Sequence, residues 1–405
     1  MSPQGNNHAV PERVDVAVVG CGVAGGLLAG RLARDGISVI ALEKRPRVGV
    51  PVRCGEAAGS RSEMSHFIPV DESWIVADIN AARMYAPDGR YVEKRLPGVG
   101  LMLRRDVFDQ ALARQAAEWG ADVRTWNEVT ALTWRGDAVT GVTVKNHHTG
   151  TTYDVEARLV VGADGIEGWC GRWAKLAGHL RPRNIHSAIE YLLEGGDFPD
   201  DVIELYLGTD CAPGGYAWVF PKGPGRANVG LGVHPTKARR GTAREYLDRF
   251  VAARYPRASV LRVVAGGVSG SKPLETMVAD GVLLVGEAGR QNNPFSGGGI
   301  MNALEGADEA HRVVLAAFER DDLSPKSLRA YDRAWHDRNG HLIQKFFKLR
   351  ELFFKLDDDN MNNVVSVLDK AVRARPGAIA DYADVFRAAF MATPGVLWQA
   401  GKMLW

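Results

Sequence analysis

Three glycines at the spacing GxGxxG, in Gly20-Cys21-Gly22-Val23-Ala24-Gly25, with a carboxylate about 20 residues further on at Glu43, are residue types that can hold a dinucleotide. Gly20 permits a tight turn, Gly22 lets the backbone approach a pyrophosphate, and Gly25 allows a helix to pack closely on a sheet. Ala24 is small enough not to block the phosphates. Such a turn must lie at a helix start, where free N–H groups and the partial positive charge of the helix face the anion. Glu43 would then accept hydrogen bonds from ribose hydroxyls.

The flanking sequence supplies the elements this chemistry needs. Val14 to Val19 is a short, mostly β-branched run, and Leu27, Leu28, Leu32 and Ala33 follow at helical spacing. Val39 to Leu42 reads as the parallel partner of the first strand, which completes one βαβ unit. Arg47 to Ser60, rich in Gly, Pro and Arg between strongly patterned flanks, reads as a long functional loop. Arg105 to Trp119 has a helical pattern, Val123 to Val155 short strands with turns, and Leu159 to Gly162 a buried strand. From about Ile185 to Ser271 strands with aromatics alternate around one helix near Ala243 to Ala253, as in an inserted sheet domain. Gly281 to Gly286 resumes the nucleotide-fold pattern, Gly299 to Phe318 begins a long helix, and the chain past Ser324 reads as mainly helical. The expected fold is α/β: a discontinuous Rossmann-type domain over 13–80, 101–184 and 272–320, an antiparallel sheet domain over 81–100 and 185–271, and a helical region over 321–405.

With 405 residues, 46% hydrophobic and 24% charged, the chain is that of a globular protein of two or three cores. Lys+Arg 50 against Asp+Glu 48 leaves a net charge of +2, so nothing global argues for nucleic acid as a partner. Cys21, Cys54, Cys170 and Cys211 are far apart and form neither a metal-binding pair nor a disulfide ladder, which favours a reducing, cytoplasmic setting without zinc. Residues 1–12 read as a polar tail rather than a signal peptide, and no apolar run approaches the roughly 20 residues of a spanning helix.

Arg105 sits at a helix start beside apolar Phe108, while Gly162-Ala163-Asp164-Gly165 and Gly286-Glu287-Ala288-Gly289 each place a carboxylate just after a buried strand. These segments resemble the Arg, DG and GD motifs of the flavoprotein superfamily that includes aromatic hydroxylases, which implies FAD as the cofactor. The resemblance implies that Arg105 reaches the phosphate region, Val129 the adenine side, and Glu287 the ribityl and pyrophosphate portion, with Asp164 in the DG turn. Glu287 departs from the pattern, where Asp is usual. Asn293 to Ile300 carries three glycines at a helix start, where backbone N–H groups suit the polar edge of an isoalloxazine; Gly298, Gly299 and Ile300 are the expected ring contacts.

Two further segments narrow the family. Pro51-Val52-Arg53-Cys54-Gly55-Glu56-Ala57 resembles the PxxCGE motif of geranylgeranyl reductases. Tyr216-Ala217-Trp218-Val219-Phe220-Pro221, with Gly230-Leu231-Gly232 after it, resembles their YxWxFP and GxG substrate signature. The likeness runs from about Val14 to Lys355 and implies reduction of geranylgeranyl chains in membrane-lipid precursors. Cys54, Gly55 and Ala57 would lie against the flavin, and Tyr216, Trp218, Phe220, Gly230 and Gly232 would line the chain site. The three aromatics share one strand face, which fits an apolar tunnel and equally an ordinary core. Hydride addition to an isolated alkene calls for an acid as well; Cys54 is the first candidate, and Glu56, a carboxyl desolvated in an apolar site, the reserve.

A flavin monooxygenase of the aromatic-hydroxylase type would share the FAD motifs but not the PxxCGE loop and YxWxFP strand. A noncatalytic lipid-binding flavoprotein would share them all. The electron donor is open between ferredoxin, a reduced deazaflavin and NAD(P)H, since one dinucleotide fingerprint is seen and FAD takes it. In Gly340 to Leu356, Leu342, Phe346, Leu349, Phe353 and Leu356 form a stripe opposite Lys345, Lys348, Glu351 and Lys355. That pattern fits a core helix with a solvated face, or peripheral contact with the inner face of the cell membrane.

Overall fold

The β-branched run at the start of the patterned sequence forms strand Glu12–Val19, whose last four residues are fully buried, as a central parallel strand requires. It pairs in parallel with Val39–Leu42 on one side and Thr152–Gly162 on the other. Asp122–Arg124 and Val282–Leu284 extend the parallel sheet at its two ends. Helix Val23–Arg34 follows the first strand directly and packs between helices Arg105–Glu118 and Ile300–Glu319. This is the Rossmann-type half of an α/β fold. The computed structural model describes residues 12–238 and 241–374, so the expected tail at residues 1–11 and the end of the helical region, 375–405, lie outside the described residues.

A second sheet of eight strands runs in the order Ser259–Ser269, Ile185–Glu194, Arg226–Val233, Tyr216–Pro221, Val202–Tyr206, Ile75–Tyr85, Tyr91–Leu103, Ala57–Ala58. Its pairs are antiparallel except Val202–Tyr206 on Ile75–Tyr85. The hairpin starts before and ends after the 81–100 expected from sequence, because Ile75 and Leu103 already pair. Alternation separates the two faces of this sheet. Ala217, Val219, Val229 and Leu231 point to one side, into a core closed by Tyr246, Leu247 and Phe250 of helix Ala243–Arg254. Tyr216, Trp218 and Phe220 point to the other side and are only partly buried, so they are not part of that core.

The stripe on residues 340–356 is mostly covered by protein. In helix His341–Phe353, Ile343, Leu349 and Leu352 are buried, and Leu349, Leu352 and Leu356 pack with Met361, Val364, Val365 and Leu368 of helix Asp358–Ala374. Phe353 meets Phe295, and Phe354 stacks on His186; Leu342, 45% exposed, stays outside. The stripe thus packs largely within the protein, with the lysines on a solvated face. Among the described residues no helix is long and apolar enough to cross a membrane.

Candidate active site

A cavity of about 370 Å³ opens between the two sheets. Gly20, Gly22, Glu43, Val129 and Asp164 line it from the nucleotide sheet; Ala188, Glu190, Trp218, Val264 and Gly266 line it from the second. Cys54, Gly55, Arg105 and Glu287 complete the wall. The fingerprint glycines differ in what surrounds them. Gly20 has φ +93° and lies so close to the next strand that a Cβ would stand 2.6 Å from the Ala163 carbonyl oxygen. At Gly25 a Cβ would meet the Gly20 carbonyl oxygen at 2.0 Å. Gly22 has nothing within 4 Å of that position, so a side chain there would project into the cavity. The space that only glycine leaves at Gly22, in front of the first turn of a helix, fits a pyrophosphate. Glu43 reaches across the turn, Oε2 accepting from the Cys21 N–H at 3.2 Å and Oε1 from the Arg45 N–H at 3.0 Å.

The other expected cofactor residues take varied positions. Ala24 is buried, with Gly286 of the Glu287 turn beside it. Asp164 accepts the Trp169 and Cys170 N–H groups on Oδ2, holding the turn before helix Cys170–Trp173, while its buried Oδ1 has no protein partner. Arg105 forms a two-pronged ion pair with Asp109, 2.6 and 2.8 Å, and its guanidinium lies beside the Cys54 thiol. Burial pushes the Glu287 carboxyl up to about 7, against a hydrogen bond from the Ser269 backbone and the charge of Arg105. Ala57 pairs with Met102 as part of the sheet scaffold. Gly299 caps helix Ile300–Glu319 and Ile300 is buried; neither they nor Gly298 line the cavity, and their loop approaches it through Gly297, packed on Val268.

Cys54 and Glu56 face different surroundings. The Cys54 sulfur accepts the Glu56 N–H at 3.2 Å, and burial pushes the thiol above its ordinary range, opposed by the Arg105 charge. Glu56, 1% exposed, does not line the cavity. Its Oε1 accepts the Arg105 N–H at 2.9 Å; its Oε2 accepts from Asn228 Nδ2 and Lys222 Nζ, both at 2.9 Å, with Arg262 at 3.7 Å. Four donors around one carboxylate make it an anchor that ties the Cys54 loop to the second sheet, and leave no oxygen facing a substrate.

Strand register explains the aromatic and glycine signatures together. Trp218 pairs with Gly230, which pairs with Glu190, which pairs with Val264, so the four form one row across the sheet. A Cβ on Gly230 would stand 2.4 Å from Trp218 Cζ2; without it the indole lies flat across the middle strand and its N–H reaches Glu190 Oε2 at 2.9 Å. The neighbouring row is Tyr216, Gly232, Ala188 and Gly266, a floor of small residues edged by one aromatic. Tyr216 O–H donates to the Ser296 carbonyl, and Phe220 closes on Gly55.

Glu190 was not singled out from the sequence. It is 3% exposed, lines the cavity, and its Oε1 has no hydrogen-bond partner. Burial pushes its carboxyl up to about 8; the Trp218 hydrogen bond and the charges of Arg262 and Lys222 oppose that, and Glu56 adds to it. An acid set mid-strand between Ala188 and Leu192 on the same face was the available signal.

A Rossmann-type sheet whose glycine turn opens onto a cavity shared with a second, aromatic-faced sheet defines an FAD-dependent oxidoreductase. Flavin-dependent halogenases share the fold: a brominase superposes with a TM-score of 0.70 at 19% identity, over 93% of this chain and 98% of that one. Residues 184–268 match the model of the geranylgeranyl reductase catalytic domain, the stretch that contains Glu190, Trp218, Gly230 and Val264. The chain is 37% identical over 392 residues to digeranylgeranylglycerophospholipid reductase 1 of Methanococcoides burtonii, covering 96% of this chain and 94% of that one. It is 38% identical over 391 residues to the digeranylgeranylglycerophospholipid reductase of Methanothrix thermoacetophila, covering 96% and 98%. A geranylgeranyl bacteriochlorophyll reductase-like protein from Thermoplasma acidophilum superposes with a TM-score of 0.89 at 32% identity, over 98% of this chain and all of that one. The chain belongs to the geranylgeranyl reductase family.

Proposed function

We propose that this protein is an FAD-dependent reductase that saturates C=C bonds of geranylgeranyl chains in membrane-lipid precursors. The observation that carries the reading is the shared cavity: one wall is the Gly22 turn, another the small-residue floor of Ala188 and Gly266, with Cys54 and Gly55 beside them. FAD, when bound, supplies the hydride. The chain supplies binding and orientation: the Gly22 turn takes the pyrophosphate, Glu43 the ribose, and the Gly232-Ala188-Gly266 row leaves room for an extended apolar chain beside Trp218 and Val264. The Arg105–Asp109 pair and the Glu56 anchor fix the loop that carries Cys54.

The lipid reaches the cavity at the sheet edge. Strand Ser259–Ser269 is an edge strand whose Val264 to Val268 line the cavity and whose Val260, Leu261 and Val263 are exposed, so this strand, rather than helix His341–Phe353, is the surface for lipid contact. Electrons come from ferredoxin, a reduced deazaflavin or NAD(P)H. The test is anaerobic incubation of chemically reduced protein with geranylgeranyl-chain lipids, repeated with each donor class, followed by mass spectrometry. A gain of two hydrogens per saturated bond is expected. No gain under any of these conditions, with an oxygen-dependent product on aromatic substrates instead, would make the protein a monooxygenase.

A further inference from the structure

We infer that Glu190 is the acid that protonates the alkene, a role that rests on the reductase reading. Three observations converge on its carboxyl group. It lines the cavity between Trp218 and Val264, in the row beside the small-residue floor, and Gly55 of the Cys54 loop approaches it so closely that a Cβ there would stand 3.6 Å from Oε2. Trp218 holds Oε2 from the side, which fixes the orientation of the group. Oε1, almost wholly buried, has no partner in the protein. An unpartnered carboxylate oxygen in such surroundings is costly, whereas a neutral carboxyl places a proton on the oxygen that the fold leaves free.

The surroundings sustain this assignment. The charged and titratable groups facing Glu190 are Glu56 and Cys54 from the loop, Lys222 from the end of the Tyr216–Pro221 strand, and Arg262 from the edge strand. Both cations already pair with Glu56, so Glu190 is left without an ion pair of its own. Burial pushes its carboxyl up to about 8 and the Cys54 thiol above its already higher ordinary range, so of the two the carboxyl is the acid better matched to neutral pH. In the reaction, one alkene carbon receives hydride from the reduced flavin. The π electrons form the new C–H bond at the other carbon with the proton released from Oε1. The flavin is left oxidised, the alkene reduced by two hydrogens, and Glu190 a carboxylate held by the Trp218 N–H beside Lys222 and Arg262, to be reprotonated from water.

The experiment combines kinetics with infrared spectroscopy. Single-turnover oxidation of reduced holoenzyme by a geranylgeranyl lipid, followed anaerobically, should slow as pH rises through about 8. Glu190→Gln should lower the neutral-pH rate by about 100-fold or more and abolish that alkaline limb without changing flavin affinity, and Glu190→Asp should restore part of the rate. In flavin-free protein, the protonated-carboxyl band should carry a component that titrates away through about pH 8 and is missing from Glu190→Gln, apart from that of Glu287, which is pushed up only to about 7. Wild-type turnover with an unaltered rate and pH profile in Glu190→Gln, or identical infrared spectra for the two proteins, overturns the assignment alone. Failure of reduced wild-type enzyme to transfer hydrogen to any such lipid overturns the reductase reading and this role with it.

Discussion

Replacing Gly22 by valine separates flavin binding from folding. The backbone there has φ −77° and ψ −162°, an extended conformation open to any residue, and the added atoms would meet no protein atom. Flavin-free Gly22→Val should therefore unfold within about 1 kcal/mol of the parent. The branched side chain instead fills the space in front of the helix N-terminus. If it displaces a phosphate from two backbone N–H groups, each worth about 1.5–3 kcal/mol as a hydrogen bond to a charged group, affinity falls by about 10²- to 10⁴-fold. Gly25→Val is the contrasting control: its first added carbon would lie 2.0 Å from the Gly20 carbonyl oxygen, so it should fail to fold. Flavin titration by fluorescence quenching, alongside thermal melts of both flavin-free proteins, reads the two effects separately. Parental flavin affinity in Gly22→Val would refute the assignment of the turn to the pyrophosphate.

Gly230→Ala forces a Cβ to within 2.4 Å of the Trp218 ring and 2.7 Å of the Ile189 carbonyl oxygen, which should cost about 1–3 kcal/mol in urea unfolding. By lifting the indole from Glu190 it should also shift the alkaline limb of the turnover profile upward; an unmoved limb would show that the Trp218 hydrogen bond does not tune the carboxyl. Glu190, raised from 4.5 to about 8 in the folded protein, holds a proton across that window which the unfolded chain releases. Its contribution to stability therefore falls as pH rises through the window and is level above it, and melts of Glu190→Gln should lack that slope. Cys54→Ser should keep flavin and slow alkene reduction less than Glu190→Gln does; a larger loss with the alkaline limb intact would give the proton to the thiol.

The nucleotide half of the fold was legible because its signals are local. The strand at Val14–Val19, the glycine turn and the helix at Leu27–Ala33 change hydrophobic period within one short stretch, and burial of all four residues of Val39–Leu42 follows from its unbroken apolar run. The chain's second half was less legible where partners are distant in sequence. Glu56 reads in isolation as a carboxyl desolvated in an apolar site, but Lys222, Asn228 and Arg262 arrive from three places around the second sheet to pair with it. The stripe on residues 340–356 carries the same pattern whether lipid or protein covers it, and the cover that helix Asp358–Ala374 gives Leu349, Leu352 and Leu356 comes from residues further along the chain.

Glu190 shows where pattern reading stops. The sequence places Tyr216, Trp218 and Phe220 on one face and supplies Gly230 and Gly232 as a separate motif, but not the register that joins them. Once Trp218 is paired with Gly230, and Gly230 with Glu190, the two motifs become one device. The glycine is needed because the tryptophan must cross its strand, and the tryptophan crosses because its N–H has a carboxyl to hold. An acid in the middle of the strand Ile185–Glu194 reads as a solvent-facing residue until that row is drawn. Drawn, it places Trp218's hydrogen bond on Oε2 and leaves the buried Oε1 without a partner among the described residues, which is the oxygen to which the proposed proton transfer is assigned.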